Sequence, residues 1–222
     1  MREIAGVLCD LDGTLIDSED LHLESCNILL EGYGCNPPHH WNEDCIGLPD
    51  NYARDKAWAM FPALQDVSDL LEKKQEIFRD LVAKRGPRLA YPGVESKLAE
   101  LKSAGVKLAV GTNSVLINTR AALEATGLAR FFPVVVTLDQ VRHGKPYPDI
   151  YAAAADGLGL PPGRCVVLED STAGVAAGKT AGCLVFGVLN TWSAAKLAGA
   201  DRIFDNTPSA MAWMLEKRVN YA

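Results

Sequence analysis

The stretch VLCDLDGTLIDSEDLH, residues 7–22, places two carboxylates directly behind a short apolar run. Residues 4–9 have the composition of a strand that is buried on both faces of a parallel sheet. Asp10 and Asp12 follow at once, and two like charges at a strand end are costly unless a cation or a reaction uses them. Gly13 then permits a sharp turn and a close approach of the backbone to a ligand. The stretch therefore predicts a buried strand that leads into a functional loop.

The rest of the chain alternates between strand-like and helical patterns. Apolar runs of the same kind occur at residues 106–111, 134–137, 164–169 and 183–188. Helical patterns occur at residues 94–104, 115–127, 147–158 and 172–181. This alternation predicts an α/β fold, a doubly wound parallel-sheet, Rossmann-like core with right-handed crossovers.

One segment after the first strand interrupts the alternation. Residues 18–86 contain no convincing strand and read as helices at about 19–33, 50–60 and 66–84. Ser18 is expected to form the N-cap of the first helix, with Glu19 and Asp20 in its first turn. We therefore expect an inserted α-helical cap domain at residues 18–86 (the cap), and a core domain made of residues 1–17 and 87–222.

Composition and charge narrow the class of protein. The chain has 222 residues, of which 48% are hydrophobic and 23% charged, with a net charge of -6. Its 22 basic residues form no stripe, so we expect no nucleic-acid partner. No apolar run approaches the roughly 18 residues of a membrane helix, and the N-terminus lacks a signal-peptide pattern. We expect a cytoplasmic protein without a membrane partner, either a monomer or a homodimer.

The six cysteines are scattered and form no CxxC motif, which favours reduced, mostly buried thiols. One local cluster, Cys35, His39, His40 and Cys45, makes a zinc site conceivable. Its spacing fits no common zinc site, and two prolines stiffen the segment, so a loop between helices is the favoured interpretation.

Polar residues follow several of the predicted strands. They are Asp10 and Asp12, Thr112 and Asn113, Lys145, and Glu169 and Asp170. Because the carboxyl ends of parallel strands meet at one sheet edge, we expect these groups to lie close together. Several carboxylates together need a hard cation, for which Mg²⁺ is the natural choice. A lysine and a hydroxyl beside them suit a phosphoryl group.

The spacing of the first two carboxylates makes chemical sense for phosphoryl transfer. Asp10 is suited to act as a nucleophile that forms an aspartyl phosphate. Asp12 is suited to give a proton to the leaving alcohol and later to take one from water. Thr112, the backbone amide of Asn113 and Lys145 would hold the phosphoryl oxygens in line for attack.

Four stretches together resemble the ordered motifs of the haloacid dehalogenase superfamily of phosphatases and phosphomutases. They are DLDGTLIDS at 10–18, VGTNS at 110–114, HGKPYPDIY at 143–151 and VVLEDSTAGVAAGKTAG at 166–182. The resemblance covers essentially the whole chain, and the cap resembles that of the β-phosphoglucomutase and sugar-phosphatase subfamily.

This resemblance implies a set of roles. Asp10 would be the nucleophile and Asp12 the acid and base. Mg²⁺ would bind Asp10, the Asp12 carbonyl and Asp170, with Glu169 at or next to the ion. His22 and Lys74 match cap residues of phosphoglucomutase-like members and are expected to meet the substrate, and Trp58 is a further cap candidate. The expected reaction is Mg²⁺-dependent hydrolysis of a small phosphorylated metabolite, a sugar or polyol phosphate.

Several alternatives stay open at this point. A phosphomutase on the same scaffold is the first, but Asp50 stands where mutase caps carry an arginine, and an acid there would repel a second phosphate. A dehalogenase is disfavoured by Asp12, and a phosphonate hydrolase by the lack of an early cap lysine. A signalling receiver also uses an aspartyl phosphate, and a pure binding module is a weaker option.

The stretch GVAAGKT at 174–180 resembles a phosphate-binding loop, but it lies within a helical pattern and lacks the first glycine.

Overall fold

The computed structural model describes residues 4–38, 41, 45 and 50–219. Within them the strands are β1 (Gly6–Cys9), β2 (Lys107–Gly111), β3 (Val134–Val136), β4 (Cys165–Glu169), β5 (Leu184–Val188) and β6 (Arg202–Phe204). They form one sheet in the order β3-β2-β1-β4-β5-β6, and all neighbouring pairs are parallel. This confirms the predicted doubly wound α/β core, with β1 in a central position.

Helices cover the sheet and form the insertion. They are α1 (Glu19–Gly32), α2 (Asp50–Met60), α3 (Leu70–Arg85), α4 (Val94–Ser103), α5 (Leu116–Ala125), α6 (Asp149–Gly157), α7 (Thr172–Thr180) and α8 (Thr207–Val219). In the part of the chain that the structure describes, none of them combines the length and apolar character that a membrane crossing requires.

Alternate residues of the central strands supply two separate hydrophobic cores. Val7 and Cys9 belong to the core on one face of the sheet, and Leu8 belongs to the core on the other. All three are fully buried. Because successive side chains of a strand point to opposite faces, a strand covered on both sides must be apolar throughout. This is why the runs that predicted the strands are continuous rather than alternating.

The cap has a small apolar cluster of its own. Its buried members are Cys26, Leu29, Leu30, Trp41, Ala57, Leu64 and Leu70. The chain enters and leaves the cap side by side, with an antiparallel bridge between Ile16 and Ala90 and a 2.7 Å hydrogen bond from Asp17 N to Leu89 O. The boundaries at residues 17/18 and 86/87 remain a prediction.

Three features differ from the sequence interpretation. The third cap helix starts at Leu70 rather than near 66, because residues 62–66 form a separate 3₁₀ turn that begins at Pro62. Neither β6 nor α8 was predicted. The edge strand β6 has only three residues, two of them exposed, so it carries no apolar run that a sequence pattern detects.

The glycine-rich stretch 174–180 lies inside α7, not in a turn before it. A Cβ on Gly174 would lie 1.7 Å from Oε1 of Glu169, and a Cβ on Gly178 would lie 2.8 Å from Cγ2 of Val185. These glycines therefore serve the close packing of α7, which excludes the phosphate-loop interpretation.

Candidate active site

Three carboxyl groups converge at the carboxyl ends of the neighbouring strands β1 and β4. Asp10 directly follows β1, and its backbone N–H donates to Leu168 O at 3.0 Å. Glu169 ends β4, and Asp170 follows it. One oxygen from each of these three acids lies within 4.8 Å of the others, and all three residues are buried. Three acids this close are costly without a cation, and their oxygens form a donor set for a hard divalent ion.

Glu169 is fully enclosed by protein donors. Its Oε1 accepts hydrogen bonds from Lys145 Nζ at 2.6 Å and from the Tyr151 hydroxyl at 2.5 Å. Its Oε2 accepts from the backbone N–H of Ser171 at 3.1 Å and from the Ser171 hydroxyl at 2.9 Å. Protein groups thus bind both carboxylate oxygens of Glu169. Glu169 is linked to Asp10 through Lys145, which donates to both acids.

Lys145 joins Asp10 and Glu169 through its ammonium group, which donates to both. Burial lowers the pKa of this lysine, but Asp10 and Glu169 together raise it above its ordinary value. Lys145 therefore stays positively charged. Its backbone is held by Asn113, whose Oδ1 accepts from Lys145 N at 2.8 Å and whose Nδ2 donates to Lys145 O at 3.4 Å.

Asp12 lies in an environment that favours its ionised form. Its Oδ1 accepts a 2.5 Å hydrogen bond from the Ser18 hydroxyl, and its Oδ2 accepts one of 2.8 Å from the Ser114 hydroxyl. Nε2 of His22 lies 3.4 Å from Oδ1. Burial would raise the pKa of Asp12, but His22 and the two hydroxyls lower it well below its usual value.

Asp10, only two residues away, is shifted in the opposite direction. Burial raises the pKa of Asp10 well above its usual range, the nearby Lys145 opposes this, and Glu169 and Asp170 add to it. A cation bound to the acidic cluster would favour the ionised form of Asp10 and so oppose this shift.

The backbone at Gly13 passes close to the carboxyl group of Asp170. Burial and Glu169 raise the pKa of Asp170 to about 7, although hydrogen bonds from Thr191 and Thr14 oppose the shift. The Thr14 hydroxyl donates to Asp170 Oδ1 at 3.2 Å. Gly13 has φ +74°, and a Cβ there would lie 2.1 Å from Asp170 Oδ2. Only glycine permits the loop to pass this close to the acid.

Thr112 follows β2 and is buried at the same sheet edge. Its Oγ1 accepts a hydrogen bond from Ser114 N at 3.0 Å, within the loop. The helix that follows, α5, starts at Leu116 with Val115 in the N-cap position, so Thr112 is not its N-cap.

The cap contributes His22 and Lys74 to this region. Nδ1 of His22 lies 2.9 Å from Nζ of Lys74, and the imidazole stacks on Phe78 with ring centroids 4.1 Å apart. His22 therefore connects Lys74 to Asp12. Trp58 is placed elsewhere, since its Nε1 donates to Leu64 O at 3.1 Å within the cap and it does not line the cavity. The role of Trp58 in substrate binding stays a prediction that this position does not support.

A cavity of about 210 Å³ lies between the cap and the ends of the strands. Its wall includes eight of the candidate residues: Asp10, Asp12, His22, Lys74, Thr112, Asn113, Lys145 and Asp170. Glu169 is not part of the wall. The structure thus brings together residues that are up to 160 positions apart, in the shared cleft that the strand ends predict.

Several residues of this region were missed by sequence reasoning. Ser18 was expected to cap α1, but its side chain makes no such hydrogen bond and donates to Asp12 instead. Ser114 and Tyr151 lie within the quoted motifs, yet nothing in their spacing indicates which acid each contacts. Glu19 was assigned to the first turn of α1 and in fact lines the cavity.

Two predictions from the sequence concern residues whose structure is not fully described. The conceivable zinc cluster includes His39 and His40, which lie outside the described residues. Asp50, which disfavours a mutase, is the first residue of α2, and its side chain is not among those described.

Comparison with known proteins adds independent evidence. The family model of the haloacid dehalogenase-like hydrolases matches residues 7–188. The chain is 32% identical over 194 residues to the phosphorylated carbohydrates phosphatase of Thermotoga maritima, covering 83% of this chain and 85% of that protein. It is 32% identical over 183 residues to hexitol phosphatase A of Escherichia coli, with 82% of each chain covered. The structure of β-phosphoglucomutase from Clostridium difficile has the same fold, with a TM-score of 0.84 and 24% identity over 98% of each chain.

The chain belongs to the haloacid dehalogenase-like hydrolase family. It is an enzyme, and the two curated relatives above are named as phosphatases. The predicted resemblance is thereby confirmed, and the signalling-receiver and binding-module alternatives are excluded.

Proposed function

We propose that this enzyme is a Mg²⁺-dependent phosphatase of a small phosphorylated metabolite, a sugar or polyol phosphate, that acts through an aspartyl phosphate on Asp10. The observation that carries the proposal is that Asp10, Asp12, Lys145 and Asp170 line one cavity, with the Lys145 ammonium donating to Asp10. The relatives named for phosphorylated carbohydrates and hexitols support the substrate class.

The acidic cluster fits a divalent cation. Asp10 and Asp170 offer oxygens on the cavity wall, and Glu169 stands next to them. Because Glu169 is saturated by Lys145, Tyr151 and Ser171, we assign Asp10 and Asp170 as the side chains that would hold the ion, and Glu169 as the residue that orients Lys145. The ion would offset the repulsion between Asp10 and a phosphate dianion.

Asp10 attacks phosphorus with a carboxylate oxygen, so that an acyl-phosphate bond forms while the bond from phosphorus to the sugar oxygen breaks. Lys145 cancels part of the charge on Asp10 and, with Thr112 and the amide of Asn113, holds the phosphoryl oxygens. Water then attacks the phosphorus of the acyl phosphate, which releases inorganic phosphate and regenerates Asp10.

Asp12 donates a proton in the first step and accepts one in the second. A phosphate dianion beside Asp12 raises its proton affinity, since a nearby like charge disfavours the ionised form. Asp12 can therefore enter the first step protonated and give its proton to the leaving alkoxide. As a carboxylate it then takes a proton from the attacking water. The lowered pKa of Asp12 keeps it ionised in the free enzyme, which is the form that this second step requires.

His22 and Lys74 belong to the cap and face the part of the substrate that carries no reacting phosphate. Lys74 is 3% exposed, and its ammonium lies against His22 and over the Phe78 ring. We assign both residues to substrate binding. A cap that closes over the cavity would exclude bulk water from the acyl phosphate during its formation.

The test is a phosphate-release screen of the purified enzyme against phosphorylated sugars, polyols, nucleotides and acids, with Mg²⁺ and with EDTA. We expect release from sugar or polyol phosphates that depends on Mg²⁺. Equal release in EDTA would refute the metal requirement, and release confined to nucleotides would refute the substrate class. The phosphomutase alternative is checked in the same screen, because a mutase isomerises a glucose phosphate whereas a phosphatase only frees its phosphate.

A further inference from the structure

The loop after β5 carries two polar side chains that the proposed mechanism does not use. They are Asn190 and Thr191, both half-buried, and neither lines the cavity. This loop, residues 189–191, is joined to β6, because Leu189 N donates to Phe204 O at 3.0 Å. Its two polar side chains therefore reach their neighbours from a segment that is itself held by the sheet.

Asn190 supports the backbone of the loop that follows β1. Its Nδ2 donates to Gly13 O at 2.9 Å and to Thr207 Oγ1 at 3.1 Å. Thr207 is the fully buried first residue of α8, and its hydroxyl donates in turn to Thr14 O at 2.6 Å. The two successive carbonyl groups directly after Asp12 are thus fixed, one by Asn190 itself and one through Thr207.

Thr191 supports Asp170, which lies across from that loop. The Thr191 hydroxyl donates a hydrogen bond to the Asp170 carboxyl. A Cβ at Gly13 would lie 2.6 Å from Thr191 Oγ1 and 2.1 Å from Asp170 Oδ2, so the hydroxyl and the carboxyl group both lie against the Gly13 backbone. The Thr14 hydroxyl also donates to this acid, at Oδ1. Asp170 is therefore held by one hydroxyl from each of the two loops.

This arrangement leaves Asp170 able to bind a cation, in contrast to Glu169. A carboxylate has roughly four acceptor sites, and Glu169 accepts four hydrogen bonds from protein groups. The two hydroxyls that donate to Asp170 use about half of that capacity. They orient the carboxylate and leave lone pairs that can face an ion.

The geometry points to Asn190 and Thr191 as positioning residues, which fix Asp170 relative to the loop after β1 and so preform the site for the divalent cation. The inference rests on the proposed function, in which Asp10 and Asp170 hold the ion. Because the two residues are adjacent, one short segment sets the separation between the Gly13 backbone and the Asp170 carboxyl group. Groups that hydrogen-bond to a metal ligand orient it, and the loss of one typically lowers metal affinity about 10–100-fold.

Thr191→Val tests the inference directly, because valine keeps the shape of threonine and lacks the hydroxyl. Calorimetric titration with Mg²⁺, in the absence of substrate, measures the dissociation constant of the ion. We expect this constant to rise about tenfold, the lower end of the range, since Thr14 still donates to Asp170. Thr191→Ser keeps the hydroxyl and should bind Mg²⁺ nearly as tightly as the wild type. Asn190→Ala should also weaken Mg²⁺ binding, because the Gly13 carbonyl loses its donor.

Thr172→Val is the matched control. Thr172 lies two residues after Asp170 and is exposed, and its hydroxyl donates to Lys196 O at 3.1 Å rather than to an acid. This variant should keep the wild-type dissociation constant for Mg²⁺. Equal weakening in Thr172→Val and Thr191→Val would assign the effect to a general loosening of the region, and the inference would be wrong.

Kinetics with p-nitrophenyl phosphate separate positioning from a merely structural role. If Thr191 positions the cation site, Thr191→Val needs more Mg²⁺ for half-maximal phosphate release, whereas its KM for the substrate at saturating Mg²⁺ stays close to the wild-type value. A structural role alone would lower the melting temperature in EDTA and leave the Mg²⁺ affinity unchanged. That result would overturn the inference.

The proposed function and this inference fail in different ways. If the wild type neither binds Mg²⁺ nor releases phosphate in a Mg²⁺-dependent manner, the proposed function is wrong and the inference falls with it. If the wild type does both, and either Thr191→Val or Asn190→Ala binds Mg²⁺ as tightly as the wild type, the inference alone is wrong.

Discussion

Replacing Tyr151 with Phe tests the network that holds Glu169 and Lys145. The Tyr151 hydroxyl donates to Glu169 Oε1 at 2.5 Å, and burial beside Glu169 raises the pKa of the phenol well above its usual value. Tyr151 therefore remains a donor throughout the accessible pH range. Tyr151→Phe removes one of the four donors around a fully buried carboxylate and leaves the packing of the ring intact.

The expected loss in the free energy of unfolding depends on the donors that remain around Glu169. A hydrogen bond to a charged group contributes about 1.5–3 kcal/mol. Because Lys145 still pairs with Oε1 of Glu169, no carboxylate oxygen is left without a donor, and we expect the lower half of that range. Urea unfolding in EDTA measures the change in the free energy of unfolding. The kcat should fall as well, since Lys145 loses part of its support.

Tyr147→Phe provides the control, because Tyr147 lies just before the same helix, is 56% exposed and forms a tilted ring pair with His143. Its free energy of unfolding should change by no more than about 0.5 kcal/mol. If the two Phe variants unfold at the same urea concentration, the Tyr151 hydroxyl does not support Glu169 and the reasoning fails.

Three further predictions concern the acids and the loop between them. Asp10→Asn should abolish phosphate release while circular dichroism shows an intact fold; near-normal Mg²⁺-dependent release would refute Asp10 as nucleophile. Gly13→Ala should destabilise the protein more than Gly34→Ala, because both have positive φ but only a Cβ at Gly13 meets another residue within 4 Å. Gly34→Ala should cost about 1–2 kcal/mol from backbone strain alone, and equal costs in urea unfolding would contradict the predicted clash with Asp170. In metal-free protein, the pKa of Asp170 is raised to about 7. Between about pH 4 and pH 7 the folded chain therefore binds more protons than the unfolded chain. The free energy of unfolding should fall as the pH rises through this range. Asp170→Asn should lose less stability than the wild type between pH 5 and pH 8 in EDTA, and an equal loss would argue against the shift.

The sequence predicted the core of the candidate site because topology alone brings strand ends together. Asp10, Thr112 and Asp170 each follow a strand, and the parallel sheet carries all three to one edge. The fold class followed from the same runs, since strands that are buried on both faces must be apolar at every position. These inferences require no knowledge of side-chain orientation.

The missed features depend on such orientation. Ser114 contacts Asp12 across 102 positions, and nothing in the order of residues indicates that its hydroxyl turns toward this acid rather than toward solvent. The same holds for Glu19, whose position in a first helical turn has a sufficient local explanation. The strand β6 escaped prediction because an exposed edge strand of three residues needs no apolar pattern.

The hydroxyl of Ser18 and the imidazole of His22 come from the cap, yet they act on Asp12, a residue of the core. Under the proposed function, one structural unit would both contact the substrate and contribute to the proton affinity of Asp12. An exchange of residues 18–86 for the corresponding helices of a relative would alter the pH optimum together with the preferred substrate, unless the donor segment supplies its own hydroxyl and imidazole at these two points. Engineering of new specificity in this scaffold must therefore treat the two properties as inherited together.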